Sequence, residues 1–107
     1  MTDFVTVARA GEIAPGEMKA VRAGRRIVAI ANVDGEYVAF DDTCSHEEAS
    51  LSEGELFGET VECPLHGAAF NVFTGAVESF PATSDIDTYE VRVEGDEIKV
   101  ATEPRSG

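Results

Sequence analysis

Two cysteines and two histidines are the only residues of their types in this 107-residue chain, and they occur as two mixed pairs. Cys44 and His46 lie in TCSHEE, and Cys63 and His66 lie in CPLHGAAF. Structural zinc sites usually take their thiolates as one pair and their imidazoles as another. Because each stretch here supplies one of each in the same order, the pattern suits a centre of two metal ions, one bound by both cysteines and the other by both histidines. Two alternatives stay open from the residues alone: one zinc ion bound by both pairs, or four core side chains that touch no metal.

Strong turn signals divide the chain into predicted β-hairpins. The stretch RIVAIANVDGEYVAF (26–40) is predicted to form two strands around Asp34-Gly35, a strong short-range hairpin signal. Within it, IVAIA is wholly apolar, as expected of a strand that is covered on both faces. FNVFTGAV (70–77) is predicted to form another hairpin, turning at Thr74-Gly75.

The C-terminal segment is predicted to end in a closing hairpin. TYEVRV (88–93) alternates, which places Tyr89, Val91 and Val93 on one face of a strand. EGD then turns into EIKVA (97–101). Because helical spacing is weak throughout, we expect an all-β fold, an antiparallel sandwich or an open barrel.

The two Cys/His pairs follow different predicted strands. Cys44 and His46 come just after the strand that ends near Phe40, and Cys63 and His66 come just after ETVE (59–62). Each pair is therefore expected in a loop, and two adjacent loops at one end of a sandwich can close around a metal.

Charge narrows the choice of partners. The formal charge is −13, from 21 Asp and Glu against 8 Lys and Arg, and 14 of the acids lie between Arg26 and Arg92, where there is no lysine or arginine. Nucleic acid and membrane surfaces are therefore poor partners, whereas a basic protein surface is a plausible one, although acids also serve solubility alone. The N-terminus shows no signal-peptide pattern and no segment approaches the roughly 20 apolar residues of a bilayer span, so we expect a cytoplasmic protein.

From Asp42 to Thr83 the sequence resembles the Rieske iron–sulfur domain, and within that family the small bacterial Rieske-type ferredoxins. A Rieske centre is a [2Fe–2S] cluster in which two histidines replace two cysteines on one iron. The two mixed pairs carry the likeness, and flanking residues agree with it: Pro64, Gly67, Phe70 and Thr74-Gly75. The resemblance implies a single domain over residues 1–107, built of stacked antiparallel β-sheets, with a cluster-binding subdomain at approximately 42–83.

The same resemblance implies the cofactor and its ligands. One [2Fe–2S] cluster per chain would have Cys44 and Cys63 on the inner iron, and His46 and His66 on the outer iron. The segment SFPAT, with Pro81, matches the proline-containing loop that covers the cluster in such proteins.

Residues beside the ligands predict a reduction potential at the low end of the Rieske range, roughly −150 to +300 mV. High-potential family members carry an extra disulfide between the ligand loops, where this chain has EEAS and Leu65. They also place a serine and a tyrosine near the sulfurs, where this chain has Ala68 and Phe70. Hydrogen bonds to the sulfurs stabilise the reduced state, so their absence, like the surrounding acids, lowers the potential.

Nothing else in the sequence looks catalytic, because there is no second metal constellation, spare Cys or His, or Gly-rich phosphate loop. We therefore expect a monomeric one-electron carrier rather than an enzyme. The resemblance implies the ferredoxin component of a bacterial aromatic-ring-hydroxylating dioxygenase system, reduced by a flavin-containing, NAD(P)H-dependent ferredoxin reductase and oxidised by a terminal Rieske oxygenase. Two alternatives are a Rieske-like small subunit of a larger reductase of the nitrite reductase type, and a zinc-stabilised structural module.

Overall fold

The structure, a computed structural model, describes residues 3–43, 50–64, 68–79 and 85–105. Within these ranges there is a short 3₁₀ helix at Leu51–Glu53 but no α-helix, and no helix there is long and apolar enough to cross a membrane. The strands are β1 (Phe4–Arg9), β2 (Met18–Ala23), β3 (Arg26–Val33), β4 (Glu36–Asp41), β5 (Glu55–Phe57), β6 (Thr60–Glu62), β7 (Ala69–Asn71), β8 (Val77–Ser79), β9 (Thr88–Tyr89), β10 (Val91–Glu94) and β11 (Glu97–Ala101). The predicted all-β class is confirmed.

The strands form three antiparallel sheets. Their orders are β1-β11-β10, β2-β3-β4-β9 and β5-β6-β7-β8. The last sheet is built from residues 55–79 alone, so it is a local unit within the chain. Stacked antiparallel sheets are what the sequence predicted.

The β3–β4 hairpin forms at the predicted turn. Asp34 has φ 53° and Gly35 has φ 93°, so both central residues take the left-handed conformation of a type I′ turn. Buried Asn32 stabilises this turn, because its side-chain oxygen accepts a 2.7 Å hydrogen bond from the Gly35 amide. The paired register from Val33↔Glu36 to Val28↔Asp41 carries β4 directly to the first predicted ligand loop.

β3 lies between two apolar cores, which confirms the predicted coverage on both faces from Val28 to Ala31, whereas Ile27 at the start of the apolar run is 44% exposed. Val28 and Ile30 point into one core with Tyr89 and Ile98. Ala29 and Ala31 point into the other, which we call the site-side core; its buried residues are Ala29, Ala31, Val38, Phe40, Leu51, Val61, Cys63, Ala68, Phe70, Val72 and Ile86. The site-side core thus joins the central sheet to the β5–β8 sheet.

The 70–77 hairpin also forms as predicted. Gly75 at its turn has φ 78°, and its amide donates a 2.7 Å hydrogen bond to the Asn71 carbonyl oxygen. The Asn71 side chain accepts hydrogen bonds from the amides of Phe73 and Thr74, an arrangement that tightens the turn. Phe70 is fully buried in the site-side core, as expected of a core residue.

The prediction of one strand over TYEVRV is wrong. The chain changes sheets at Glu90, because β9 pairs with β4 whereas β10 pairs with β11. The predicted shared face is lost with the change of partner: Tyr89 is buried, but the Val93 side chain is 48% exposed. The closing hairpin itself is confirmed, with Glu94 opposite Glu97.

Candidate metal centre

One of the four predicted ligands lies among the described residues, and it is Cys63. Cys44, His46 and His66 lie outside them, as does Pro81 of the predicted covering loop. Glu47, Glu48, Leu65 and Gly67 also fall outside the described residues. The site is therefore described through Cys63 and through the residues that bracket each predicted ligand loop.

Cys63 lies directly after β6 and is 3% exposed. Its thiol is free of any disulfide and lies in the site-side core with Val61 and Phe70. The Cys63 amide donates a 2.7 Å hydrogen bond to the Ala68 carbonyl oxygen. This bond closes the base of the loop that carries His66.

The other predicted ligand loop is also closed at its base. Thr43 and Ser50 form an isolated antiparallel bridge across the segment that holds Cys44 and His46. Asp42 holds the returning chain twice: its carbonyl oxygen accepts a 2.6 Å hydrogen bond from the Leu51 amide, and its side-chain Oδ1 accepts a 2.9 Å bond from the Ser52 amide.

The bases of the two loops share the site-side core. Leu51, which follows the first loop, is fully buried in the same cluster as Cys63 and Ala68 of the second. Gly54 lies against the second loop's strand, where a Cβ would run into the carbonyl oxygen of Glu62. The structure thus brings together the bases of both predicted loops.

Asp42 and Gly54 are structural contributors to the site that the sequence argument missed. Asp42 is only 4% exposed, whereas the charge of this acidic stretch predicts a position on the surface. No local signal marks Asp42, because its side chain accepts a hydrogen bond from Ser52, which lies 10 residues further along the chain, whereas recognisable aspartate turns span about two residues. No sequence feature marks Gly54 as important, because the residue that it approaches, Glu62, lies in β6, beyond the next turn of the chain.

A polar chain of contacts fixes the end of β4 just before the first loop. The Tyr89 hydroxyl donates a 2.6 Å hydrogen bond to Asp41 and accepts a 3.3 Å bond from Arg26. Burial, together with the adjacent Asp41 carboxylate, raises the pKa of Tyr89 to about 12. The hydrogen bond with the Tyr89 hydroxyl raises the pKa of Arg26.

The surroundings of Cys63 fit a [2Fe–2S] cluster with mixed ligands. The charges of two ferric ions, two sulfides and two thiolates cancel, and neutral imidazoles add none, so the oxidised cluster carries no net charge. An uncharged group is compatible with the apolar side chains around Cys63, whereas burial of an unpaired charge would be costly. Ala68 and Phe70, both fully buried beside Cys63 in this core, offer no side-chain hydroxyl.

Comparisons with known proteins agree with this reading. The family described as the Rieske [2Fe-2S] domain matches residues 3–90. The ferredoxin component of biphenyl 2,3-dioxygenase from Rhodococcus jostii (strain RHA1) is 42% identical over 97 residues, which cover 91% of each chain.

Solved structures add two likenesses. A chain in the complex of reduced oxygenase and oxidized ferredoxin in carbazole 1,9a-dioxygenase superposes with a TM-score of 0.92 at 41% identity, covering 97% of both chains. The terminal oxygenase of carbazole 1,9a-dioxygenase from Novosphingobium sp. KA1 has a TM-score of 0.80 at 24% identity and shows the shared fold alone, since this chain covers only 29% of it. The chain therefore belongs to the Rieske [2Fe–2S] family, in which it is an electron-transfer ferredoxin with a Rieske-type cluster rather than an oxygenase.

Proposed function

We propose that this chain takes single electrons from a flavin-containing, NAD(P)H-dependent ferredoxin reductase and delivers them to a terminal Rieske oxygenase that hydroxylates an aromatic ring. The observation that carries the proposal is the 42% identity to a dioxygenase ferredoxin component over nine-tenths of both chains. When bound, the cluster stores and releases one electron. We also propose a cytoplasmic location, where a reductase of this kind finds its NAD(P)H.

The proposed ligands are Cys44 and Cys63 for the inner iron, and His46 and His66 for the outer iron. The burial of Cys63 supports its place on the inner iron, away from solvent. We further propose that residues 42–83 form the cluster-binding subdomain within one domain over 1–107. The separate sheet β5–β8 supports this division, because its strands pair only with one another.

We propose a reduction potential at the low end of the Rieske range. Fully buried Ala68 and Phe70 support it, because they present apolar side chains where hydroxyls would stabilise added negative charge. The formal charge of −13 acts in the same direction, since electrons enter an already negative molecule less readily.

Acidic and basic residues are distributed unevenly along the chain, which supports docking to basic partners. Residues 50–79 carry five exposed glutamates and no lysine or arginine: Glu53, Glu55, Glu59, Glu62 and Glu78. The ion pairs seen among the described residues lie elsewhere: Arg9–Asp96, Lys19–Glu12, Arg92–Glu90 and Lys99–Glu94. An acidic region without lysine or arginine attracts a basic protein surface and speeds encounter.

A diffusible monomer is favoured over a permanently bound reductase subunit. A permanent interface is commonly large and apolar. In the described part of the chain, the exposed large apolar side chains are Ile27, Phe57 and Val93, and each belongs to a different sheet. Scattered side chains of this kind form no broad apolar face.

The test is direct electron transfer between purified proteins without oxygen. The chain is reduced with dithionite, freed of excess reductant and mixed in a stopped-flow instrument with an oxidised biphenyl- or carbazole-type terminal oxygenase. We expect reoxidation of the chain to match reduction of the oxygenase electron for electron. Ferricyanide, a small-molecule oxidant, serves as the control. A reduced chain that ferricyanide oxidises rapidly but that neither oxygenase oxidises would contradict the proposed partner.

A further inference from the structure

We propose that Asp42 and Gly54 are positioning residues that hold the two ligand loops at a fixed spacing through the turn at Leu51–Glu53. The inference rests on the proposed ligand assignment. Under that assignment each iron takes one ligand from each loop, so the distance between the loops sets both coordination spheres. A device that fixes this distance therefore acts on the whole cluster.

Asp42 ties the first loop to the turn. It is 4% exposed, and two of its oxygens accept hydrogen bonds from successive amides of the turn, those of Leu51 and Ser52. Asp41, its neighbour, serves a different purpose, because its carboxylate accepts the bond from Tyr89 and so ties β4 to β9. Asp42 thus contacts the turn that follows the first ligand loop, whereas the adjacent Asp41 contacts β9 of the central sheet.

Gly54 lets the turn pack closely against β6, the strand that leads into the second loop. Its amide donates a 2.9 Å hydrogen bond to the Leu51 carbonyl oxygen, which closes the turn. Its φ is −84°, so the position needs glycine for space rather than for backbone conformation. The space is taken by the carbonyl oxygen of Glu62, which a Cβ would strike, and Glu62 directly precedes Cys63.

These contacts form one short path between the loops. It runs from Asp42, two residues before Cys44, through the turn to Gly54, and across to Glu62 beside Cys63. Leu51 fixes the middle of the path in the site-side core. Partners that hydrogen-bond directly to metal ligands typically change metal affinity by roughly 10- to 100-fold when they are lost. Asp42 and Gly54 act one step further from the metal, so we expect effects at the lower end of that range.

The test compares Asp42→Ala with Asp42→Asn in the cluster-loaded protein. Asparagine keeps an oxygen that can accept the Ser52 amide, whereas alanine does not. We measure the rate of iron release into a chelator well below the unfolding temperature, and the EPR g-values of the reduced protein. Asp42→Ala should release iron roughly tenfold faster or more and shift the g-values. Asp42→Asn should return both towards the wild-type values.

Asn32→Ala is the matched control, because Asn32 is likewise 4% exposed and its side chain also holds backbone groups, but at the end of β4 away from the ligand loop. It should lower the unfolding temperature and leave the g-values unchanged. Equal rates of iron release from Asp42→Ala and the wild type would overturn the inference. So would equal changes in release rate and g-values in Asp42→Ala and Asp42→Asn. Should Asp42→Ala fail to fold, the same two measurements are made on Gly54→Ala. Wild-type g-values and a wild-type rate of iron release in that variant would also overturn the inference. A wild-type protein without any Rieske signal would instead count against the proposed ligands and function.

Discussion

The amide of Cys63 donates a 2.7 Å hydrogen bond to the carbonyl oxygen of Ala68, so the buried thiol and the Ala68 side chain stand at the two ends of one closed loop. Phe70 follows two residues later and lies in the same apolar core. A hydroxyl at either position would therefore enter the surroundings of Cys63 rather than the solvent. This relationship makes the two positions suitable for tuning the cluster.

Adding the missing hydroxyls should raise the reduction potential. Ala68→Ser together with Phe70→Tyr supplies donors that favour the more negative reduced state. A hydrogen bond to a charged group contributes about 1.5–3 kcal/mol, and a tenfold change of about 1.4 kcal/mol corresponds to 59 mV for one electron, so each hydrogen bond formed should raise the potential by roughly 60–130 mV. Redox titration followed by EPR measures it.

Val100→Thr is the control for that double variant. Threonine has nearly the same size as valine, and it adds a hydroxyl at a fully buried position of the other core, which does not contain Cys63. Its potential should stay at the wild-type value. A double variant whose potential is unchanged or lower would show that these hydroxyl positions do not govern the potential.

Gly75→Ala should destabilise the fold strongly. Gly75 has φ 78°, and a Cβ there would run into the carbonyl oxygen of Ile86, whose amide bonds back to Gly75. Gly58 has φ 58° but open space around it, so Gly58→Ala bears the conformational cost alone, about 1–2 kcal/mol. We expect Gly75→Ala to lose about 3 kcal/mol or more. Thermal unfolding of both variants measures the difference, and equal losses would show that the close approach to Ile86 is unimportant.

Stability should fall at alkaline pH because of Tyr89. Its pKa is raised to about 12 in the folded protein, above the usual value near 10 of an unfolded chain. The folded state therefore holds this proton more tightly, and the resulting stabilisation is complete below pH 10 and is lost as the pH rises through 12. Tyr89→Phe should be less stable than the wild type at neutral pH, since two hydrogen bonds are lost, and should lose less stability above pH 10. Denaturant unfolding at pH 7 and pH 11 measures this, and parallel losses in both proteins would contradict it.

Reduction by the partner reductase should slow as salt increases. Screening weakens attraction between an acidic carrier and a basic surface, and the Debye length shrinks to about 10 Å at 0.1 M salt. Glu53→Gln with Glu55→Gln should reduce the bimolecular rate at low salt and flatten its salt dependence. Glu36→Gln with Glu103→Gln removes the same charge from exposed positions outside residues 50–79 and serves as the control. Stopped-flow rates that do not change with salt concentration, or that fall equally in the two double variants, would contradict electrostatic steering by residues 50–79.

Local chemistry explains which parts of the fold were predictable from sequence. Asp34-Gly35 predicts its hairpin because both residues tolerate positive φ, and the apolar run in β3 predicts burial on both faces. The break at Glu90 could not be predicted, since it depends on pairing with β4 and β11, which are distant in sequence. The alternation of apolar and polar residues within TYEVRV is the same whether the segment pairs within one sheet or is divided between two.

The same distinction applies to the site. Cysteine and histidine spacing favours a centre of two metal ions, and the family resemblance that the two mixed pairs carry then implies the Rieske cluster. Neither reveals that Asp42 brackets the first loop, or that Gly54 meets Glu62, because both contacts depend on how the chain returns on itself. Residues that carry ligands are therefore easier to find in a sequence than those that position them.

Reductive titration followed by EPR shows whether this chain carries one electron on a Rieske cluster. The purified protein is assayed for iron and acid-labile sulfide, then titrated with dithionite under argon. We predict two irons and two sulfides per chain, no EPR signal when oxidised, and a rhombic signal complete after one electron per chain. Zinc in place of iron, or no signal after reduction of an iron-loaded protein, would contradict the account.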